Sequence, residues 1–189
     1  MEQLKQQKDL KIIIVGPMKP NLPNQVLAFI SKESANDITN NLRSLRKAGG
    51  NRVRTYSLIS QHPSIPQKRR QIYVHSKILI VDDCWITIGS ANMDKKGFRD
   101  SIELDFGITS PKLACQIRTK LWNEHLNTSQ KDLFPEDVLR NFHEGFNAWD
   151  KLASENGKRV QNKEPIQGHV YYNNFEEQGI PSPLSNPKQ

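Results

Sequence analysis

One short stretch of the chain combines residue types that could act on an anionic ligand. His75 is followed two residues later by Lys77, within a run that is otherwise apolar. On an extended strand alternate side chains share a face, so we expect the imidazole and the ammonium to lie side by side. An imidazole can attack or transfer a proton near neutral pH, and a lysine supplies fixed positive charge to a phosphoryl oxygen. This spacing indicates phosphate chemistry.

Residues further along the chain could complete such a site. Gly89 permits close approach of the backbone to a ligand, and Ser90 and Asn92 offer neutral hydrogen-bond donors. Glu103 lies on the next predicted strand, with Asp105 on the same face. A carboxylate there can accept the second N–H of the imidazole, which would fix its tautomer and raise its basicity. The plainer alternative is an exposed strand edge followed by an ordinary turn.

The elements that must position these residues alternate between strands and helices. Short apolar or β-branched runs bounded by turn residues predict strands over residues 11–16, 52–59, 72–81, 84–88 and 101–108. Periodicity and capping signals predict helices over residues 24–32, 36–48, 110–126 and from Pro135 onward. The third helix has Ser110 as its cap and should turn Leu113, Ile117 and Leu121 inward. The pattern predicts an α/β fold, a layered sheet flanked by helices with further helices at the C-terminal end.

The length of 189 residues suits one compact domain and is short for two. We expect that domain over residues 1–155 and a partly irregular tail over residues 156–189, which lacks clear periodicity and contains three late prolines. Trp85, Trp122 and Trp149 fall in predicted elements and are expected in the core. The two cysteines form neither a disulfide framework nor a metal-binding spacing.

Positive charge is concentrated in the first part of the chain. The net charge is +7, but residues 1–74 carry 13 lysines and arginines against 4 acidic residues, a balance of +9. Residues 75–189 carry 14 against 16, a balance of −2. A basic field beside a site attracts phospholipid head groups, nucleic acid or phosphorylated small molecules. A solvated basic face without a ligand is an equally open interpretation.

Neither a membrane span nor an export signal is visible in the sequence. The longest apolar runs, at residues 12–15 and 78–81, are far shorter than a bilayer requires. The first ten residues contain no apolar core of a signal peptide. We therefore expect a cytoplasmic protein or one that binds a membrane only peripherally.

Taken together, the site residues resemble a known family, the phospholipase D superfamily. Every defined position of the HKD motif of that family is matched by His75-x-Lys77-x4-Asp82-x6-Gly89-Ser90-x-Asn92. The resemblance covers about residues 10–127 and is sharpest over residues 72–108. That part is similar to the C-terminal HKD half of eukaryotic-type phospholipases D and their bacterial relatives.

The resemblance implies a role for each matched residue. The family reaction is phosphodiester cleavage, in which one histidine attacks phosphorus and forms a phosphohistidine while a second protonates the leaving alcohol. On this basis His75 is expected to be the acid/base member of the pair. The other implied roles are phosphoryl-oxygen binding by Lys77, Ser90 and Asn92, orientation of the catalytic histidine by Glu103, and ordering of the turn and strand by Asp82 and Gly89. Neither a metal nor another cofactor is implied.

The resemblance also implies a substrate and a partner. The expected activity is hydrolysis or transphosphatidylation of glycerophospholipids such as phosphatidylcholine at a membrane surface. The chain has one HKD motif, because no other histidine has a lysine two residues on. A second HKD half is therefore expected from a homodimer partner or a separate chain.

Two other interpretations stay open at this point. The strand and helix that open a complete half are not recognisable, so the chain is expected to be an incomplete half and a C-terminal portion of a longer phospholipase D. It could then be an inactive remnant. The same motif would also suit a nuclease that acts on DNA or RNA as a homodimer, which the basic segment would favour.

Overall fold

A computed structural model describes residues 1–17, 38–92, 102–128 and 132–173. The strands are β1 (Ile12–Val15), β2 (Val53–Gln61), β3 (Arg69–Ile72), β4 (Lys77–Val81), β5 (Trp85–Gly89), β6 (Asp105–Thr109) and β7 (Val170–Tyr172). The helices are α1 (Glu2–Gln6), α2 (residues 38–49), α3 (Pro111–Leu126), α4 (Glu136–Arg140) and α5 (Phe142–Gln161). A 3-10 turn, Gly50–Arg52, joins α2 to β2. The predicted helix over residues 24–32 and the predicted start of α2 lie outside the described residues.

β2 is the middle of one sheet, which we call the central sheet (β1, β2, β3 and β7). β1 runs parallel to the first part of β2, with Ile12 opposite Val53. β3 pairs antiparallel with the end of β2, and β7 pairs antiparallel with its middle. Parallel and antiparallel pairs within one sheet, with helices alongside, confirm the predicted α/β class.

The main core lies between the central sheet and the helices α3 to α5. Tyr56 and Leu58 project from β2 into a cluster with Trp122, Trp149 and Val170, all of them buried. The rings of Tyr56 and Trp149 are 5.1 Å apart between centroids. Each large apolar side chain fully buried in this way contributes roughly 1.5–3 kcal/mol, so this layer holds most of the packing energy that the structure displays.

The second sheet, which we call the motif sheet, is the antiparallel meander β4-β5-β6. Its register places Ile78 opposite Ile88 and Ile88 opposite Phe106 on one face. Lys77, Gly89 and Asp105 form the matching end row on the other face. Within the described residues, neither edge of this sheet pairs with a strand of the central sheet.

The predicted strand over residues 72–81 is wrong as a single element. β3 ends its pairing with β2 at Ile72, and β4 begins its pairing with β5 at Lys77. Residues 73–76 cross from one sheet to the other, so they hydrogen-bond into neither ladder. The β-branched composition of this run was a correct sign of strands, but composition does not reveal which strand each part pairs with.

Two details of the next elements also differ from the sequence prediction. β6 begins at Asp105, so Glu103 precedes the strand and does not lie within it. In α3 the predicted inward residues are only half-buried, whereas the buried ones are Ala114, Arg118, Thr119, Trp122 and Leu126. α3 contacts the α4–α5 pair as well as β4 and β5, and its best-buried stripe is the one that meets the aromatic core. The predicted cap is confirmed, since the Ser110 hydroxyl accepts from the Leu113 N–H.

The chain after residue 155 continues the domain as far as the structure describes it. α5 runs on to Gln161, and β7 joins the central sheet. Val160, Ile166 and Tyr171 pack with Ile59 in a second buried cluster. The tail, which was expected to be partly irregular, contains the end of α5, an irregular stretch over residues 162–169 and β7. Three residues of β7 are too few to show periodicity in a sequence.

Two of the three tryptophans lie in the core. Trp122 and Trp149 are buried as predicted, whereas Trp85 is 38% exposed on the motif sheet. Across the ranges that the structure describes, no helix combines the length and apolarity needed to cross a bilayer.

Candidate active site

The crossing between the two sheets carries His75. Its side chain is exposed, and its ring stacks on that of Tyr73 with 5.9 Å between centroids. Because residues 73–76 pair with neither sheet, the imidazole is presented at the junction of the sheets and not on a strand face. Its position relative to the motif sheet therefore depends on how the two sheets are held together.

Lys77 opens the motif sheet and turns back toward this crossing. Its Nζ donates a hydrogen bond of 2.8 Å to the carbonyl oxygen of His75. The structure thus brings the ammonium to the backbone of the histidine, although the two side chains do not share one strand as the sequence suggested. An ammonium has three donors, so two stay available to an anion.

Gly89 lies directly opposite Lys77 in the motif sheet. A Cβ at this position would overlap Asp105 Oδ1 and the carbonyl oxygen of Leu104. The carboxylate of Asp105 also accepts from the N–H of Ala91 at 3.4 Å. The end row of the motif sheet therefore places a cation and an anion on either side of a glycine, and glycine alone fits there.

Ser90 is tied to the strand that follows. Its N–H donates to the Leu104 carbonyl at 3.1 Å, and its Oγ accepts from the Leu104 N–H at 3.1 Å. The hydroxyl hydrogen keeps a free direction in this arrangement, because Oγ acts here as the acceptor. Asn92 is exposed two residues further on, at the end of a described range.

Glu103 and Asp105 are distinguished by the structure. Glu103 is half-buried just before β6, and among the described residues no hydrogen bond joins it to His75. Its role as the histidine's partner stays a prediction. Asp105 is the carboxylate that enters the row with Lys77 and Gly89. The sequence signal for Asp105 was its shared face with Glu103, but it was assigned no function.

The turn between β4 and β5 contains Asp82 and Asp83, both with φ of 51°. The Cys84 N–H closes this turn on the Val81 carbonyl at 2.9 Å. Aspartate tolerates left-handed backbone better than most residues, which agrees with an ordering role for Asp82. The side chain that anchors the turn, however, is that of Asp83, which receives two hydrogen bonds from Arg118. Neither Asp83 nor Arg118 was predicted from the sequence, because a second aspartate beside the motif and an arginine within a helix are ordinary in a sequence.

The remaining histidines have other surroundings. Burial against Trp149 lowers the pKa of His125 to about 4. The Nδ1 of His143 lies 3.0 Å from Lys11 Nζ on the exposed side of α5. Over the ranges that the structure describes, no three His, Cys, Asp or Glu side chains converge as metal ligands would.

Comparison with known proteins places this geometry in a family. The sequence profile described as "Cardiolipin synthase, PLD-like domain" matches residues 4–125, which include every candidate site residue. The chain belongs to the phospholipase D superfamily. The motif spacing and the match therefore agree on the superfamily, as the sequence predicted.

Similar curated proteins carry phospholipase D names. The chain is 40% identical over 121 residues to phospholipase D alpha 1 of Cynara cardunculus, covering 54% of the chain and 14% of that protein. It is 42% identical over 86 residues to phospholipase D alpha 1 of Zea mays, covering 38% and 10%. It is 38% identical over 91 residues to phospholipase D A of Dictyostelium discoideum, covering 38% and 7%. The alignments thus span a small part of each of these superfamily members.

Proposed function

We propose that the chain supplies one half of a phospholipase D-type phosphodiesterase site. His75 is its acid/base residue, and Lys77 is its phosphate-binding cation. The observation that carries the proposal is the hydrogen bond from Lys77 Nζ to the His75 carbonyl, which keeps positive charge at the backbone of His75, at the junction of the two sheets. The match to the superfamily over residues 4–125 supports it independently.

The proposed reaction is the cleavage of a glycerophospholipid such as phosphatidylcholine. A histidine nitrogen from a second half forms a bond to phosphorus, the bond from phosphorus to the choline oxygen breaks, and His75 gives its proton to that oxygen. Water then attacks the phosphohistidine, loses its proton to His75 and releases phosphatidic acid. An alcohol in place of water would give transphosphatidylation. In the second step the bond from phosphorus to the histidine nitrogen breaks as the bond to the water oxygen forms. His75 regains from water the proton that it lost to choline, so both histidines return to their starting states only after the two steps.

The other motif residues serve this reaction by binding charge. Lys77, Ser90 and Asn92 are proposed to donate to the phosphoryl oxygens, where negative charge grows in the transition state. Glu103 is proposed to orient His75 once substrate is bound. Gly89 leaves room for the Asp105 carboxylate and the Leu104 carbonyl, which a Cβ at this position would overlap.

We further propose that the second histidine comes from another HKD half, either a second copy or a separate chain. Support comes from the motif sheet on the face that carries Lys77. There Leu79, Val81 and Trp85 are 43%, 38% and 38% exposed. Contiguous exposed apolar side chains of this kind mark protein contact surfaces, and a half placed there would also cover the site.

The experiment is release of choline from phosphatidylcholine vesicles by the purified chain, with a chelator present. His75→Asn should abolish release, and Lys77→Ala should lower kcat by roughly 10²–10³. His143→Asn is the matched control, because this exposed histidine lies on α5 outside the site, and it should retain activity. Turnover that survives in His75→Asn would remove the proposed mechanism.

Nuclease activity is the second candidate, favoured by the excess of +9 in residues 1–74. Lys68 and Arg70 are exposed at the start of β3, a few residues before His75. Cleavage of plasmid DNA that slows steeply with added salt, without choline release, would establish nuclease activity in place of phospholipase activity. Silence with both substrates and a monomeric mass by light scattering would establish the inactive remnant.

A further inference from the structure

Arg118 is a buried cation in the middle of α3, with 4% of its surface exposed. Its Nε and Nη2 donate to the two carboxylate oxygens of Asp83 at 2.6 and 2.7 Å. Its Nη1 donates to the Leu139 carbonyl at 2.8 Å, and Nη2 also donates to the Arg140 carbonyl at 2.8 Å. The guanidinium plane lies 4.4 Å from the ring centroid of Trp122. Every nitrogen of the group is therefore engaged.

Such a group needs an explanation, because taking a charged pair out of water costs energy that an apolar pair would not. Arg118 joins three elements: α3 itself, the end of α4 and the turn between β4 and β5. We call this set of bonds the clasp (Arg118 with Asp83 and the carbonyls of Leu139 and Arg140). A rigid, bidentate fork fixes direction as well as distance, so the clasp can hold the turn at one angle.

The motif sheet has few other attachments in the described residues. Of its fifteen strand residues, Ile86 alone is buried. The sheet shares no strand pairing with the central sheet within the described ranges. Its angle therefore rests on the contacts of β4 and β5 with α3, which bury Ile86, and on the direct continuation of β6 into α3, where the Ser110 N–H donates to the Cys84 carbonyl at 2.9 Å. The crossing at residues 73–76 and the clasp are its other attachments.

The clasp and the candidate site lie at opposite ends of β4. Five residues of strand span roughly 17 Å, so a displacement of the turn by about 1 Å would rotate the motif sheet by about 3°. His75 sits at the crossing, whereas Lys77 and Gly89 belong to the sheet that rotates. The angle at the clasp thus sets how the motif sheet faces the imidazole.

We propose that Arg118 is a positioning residue, which acts through Asp83 to hold the motif sheet at the angle that presents Lys77 and Gly89 to His75. This inference rests on the proposed function for its catalytic meaning. The geometric part, that the clasp controls the motif sheet and the surroundings of His75, stands without it.

The experiment compares Asp83→Asn and Arg118→Lys in the full chain with Arg140→Gln as the matched control. Arg140 also forms an ion pair, with Glu136 at 2.6 Å, but on the exposed side of α4. Amide hydrogen exchange is measured for β4 and β5 and, separately, for β2. The ¹H–¹⁵N signals and titration midpoint of the His75 imidazole are followed in the same samples.

The clasp variants should speed exchange in β4 and β5 by tenfold or more while leaving β2 unchanged, and should shift the His75 signals. Arg140→Gln should do neither. Uniform loss of protection in β2 and β4, or His75 signals identical to the original chain, would overturn the proposal. Asp83→Asn keeps an oxygen for Nη2 to reach, so it serves as the milder variant if Arg118→Lys unfolds.

Activity separates this proposal from the proposed function. If the original chain releases choline, the clasp variants should lose at least tenfold in kcat with little change in KM, and unchanged kcat would overturn the positioning role. If the original chain is inactive on every substrate while exchange and His75 signals respond as expected, the proposed function fails and the positioning role stands.

Discussion

The central sheet and the motif sheet both contain apolar strands, but they differ in how much of their surface is exposed to solvent. In β2 every residue from Thr55 to Ile59 is buried, under a layer of helices. In β6 all five residues are exposed, and Phe106 leaves 63% of its surface in solvent. Both sheets contain apolar runs of the kind found in strands covered on both faces. The difference teaches that the packing energy is concentrated in the central sheet, whereas most of the candidate site residues lie in or beside the exposed motif sheet.

The motif sheet also exposes apolar side chains that could contact another chain. Ile88, Phe106 and Ile108 expose 41%, 63% and 37% on the face opposite Lys77. A three-stranded sheet with apolar groups on both faces gains by being covered. The proposed second half would cover the Lys77 face, and the site would then be enclosed from water at the moment it is completed.

The largest expected effect tests which sheet holds the fold. Trp149→Ala should lower the free energy of unfolding by about 3–5 kcal/mol, because it leaves a cavity among buried rings. Trp149 is fully buried, 5.1 Å from Tyr56 and 6.2 Å from Trp122 between ring centroids. Chemical denaturation measures the change.

Trp85→Ala is the matched control for that prediction. It removes the same side chain from the motif sheet, where Trp85 is 38% exposed. Because it leaves no enclosed cavity, it should lower the free energy of unfolding by only about 1–2 kcal/mol. Equal losses for the two variants would mean that the two sheets are packed alike.

His125, in the helices packed on the central sheet, should make the stability depend on pH. Burial lowers the pKa of His125 from 6.5 to about 4, so as pH falls the unfolded chain binds its proton first. The free energy of unfolding should therefore decrease between about pH 6.5 and pH 4, by an amount on the order of 3 kcal/mol, and change little above that window. Denaturation midpoints across this range measure it.

His125→Phe should flatten the dependence in that window, since it removes the titrating group from beside Trp149. His143→Asn should keep the slope, because His143 is exposed. A slope that persists unchanged in His125→Phe would assign the effect to other groups.

Within the motif sheet, two glycines on one face should respond differently. Gly89→Ala should cost about 1–3 kcal/mol and open the end row, because its methyl group would overlap Asp105 and the Leu104 carbonyl. Gly107→Ala should be nearly neutral, since its Cβ would meet Trp85 Nε1 at 3.4 Å, in ordinary contact. Thermal unfolding with hydrogen exchange of β5 and β6 measures both, and equal effects would contradict the close packing at Gly89.

The smallest expected change in stability concerns the exposed face. Phe106→Ser should alter the free energy of unfolding by less than about 1 kcal/mol, because little of the ring is buried in the chain alone. It should also reduce self-association, measured by sedimentation velocity at several concentrations. A loss above about 2 kcal/mol would show that this face is packed within one chain.

Much of the fold could be predicted from local signals. β1, β2, α3 and the start of α4 are close to their predicted places, and Ser110 caps α3 as expected. The helix predicted from Pro135 onward is divided into α4 and α5 at Asn141. Errors arose where the outcome depends on distant partners. The run over residues 72–81 has uniform strand character, but its two parts pair with different strands. β7 carries too short a signal, although β2 gives it a place in the sheet.

The candidate site shows the same division. The types and spacing of His75, Lys77 and Gly89 were sufficient to predict phosphate chemistry and the superfamily. The preference for Asp83 over Asp82 as the anchored residue was not predictable, because it depends on Arg118, thirty-five residues away. Hydropathy would likewise place Arg118 on the surface of α3, whereas it is buried.

The sequence by itself determined the motif, most of the strands and helices and the family, because these follow from residue type and short-range period. The tertiary structure alone decided that His75 lies at a crossing between two sheets, that one sheet is covered and the other open, and that a clasp ties the turn between β4 and β5 to α3 and α4. Those features arise from pairing and burial between residues far apart in the chain, and no local pattern encodes which of many possible partners each residue will meet.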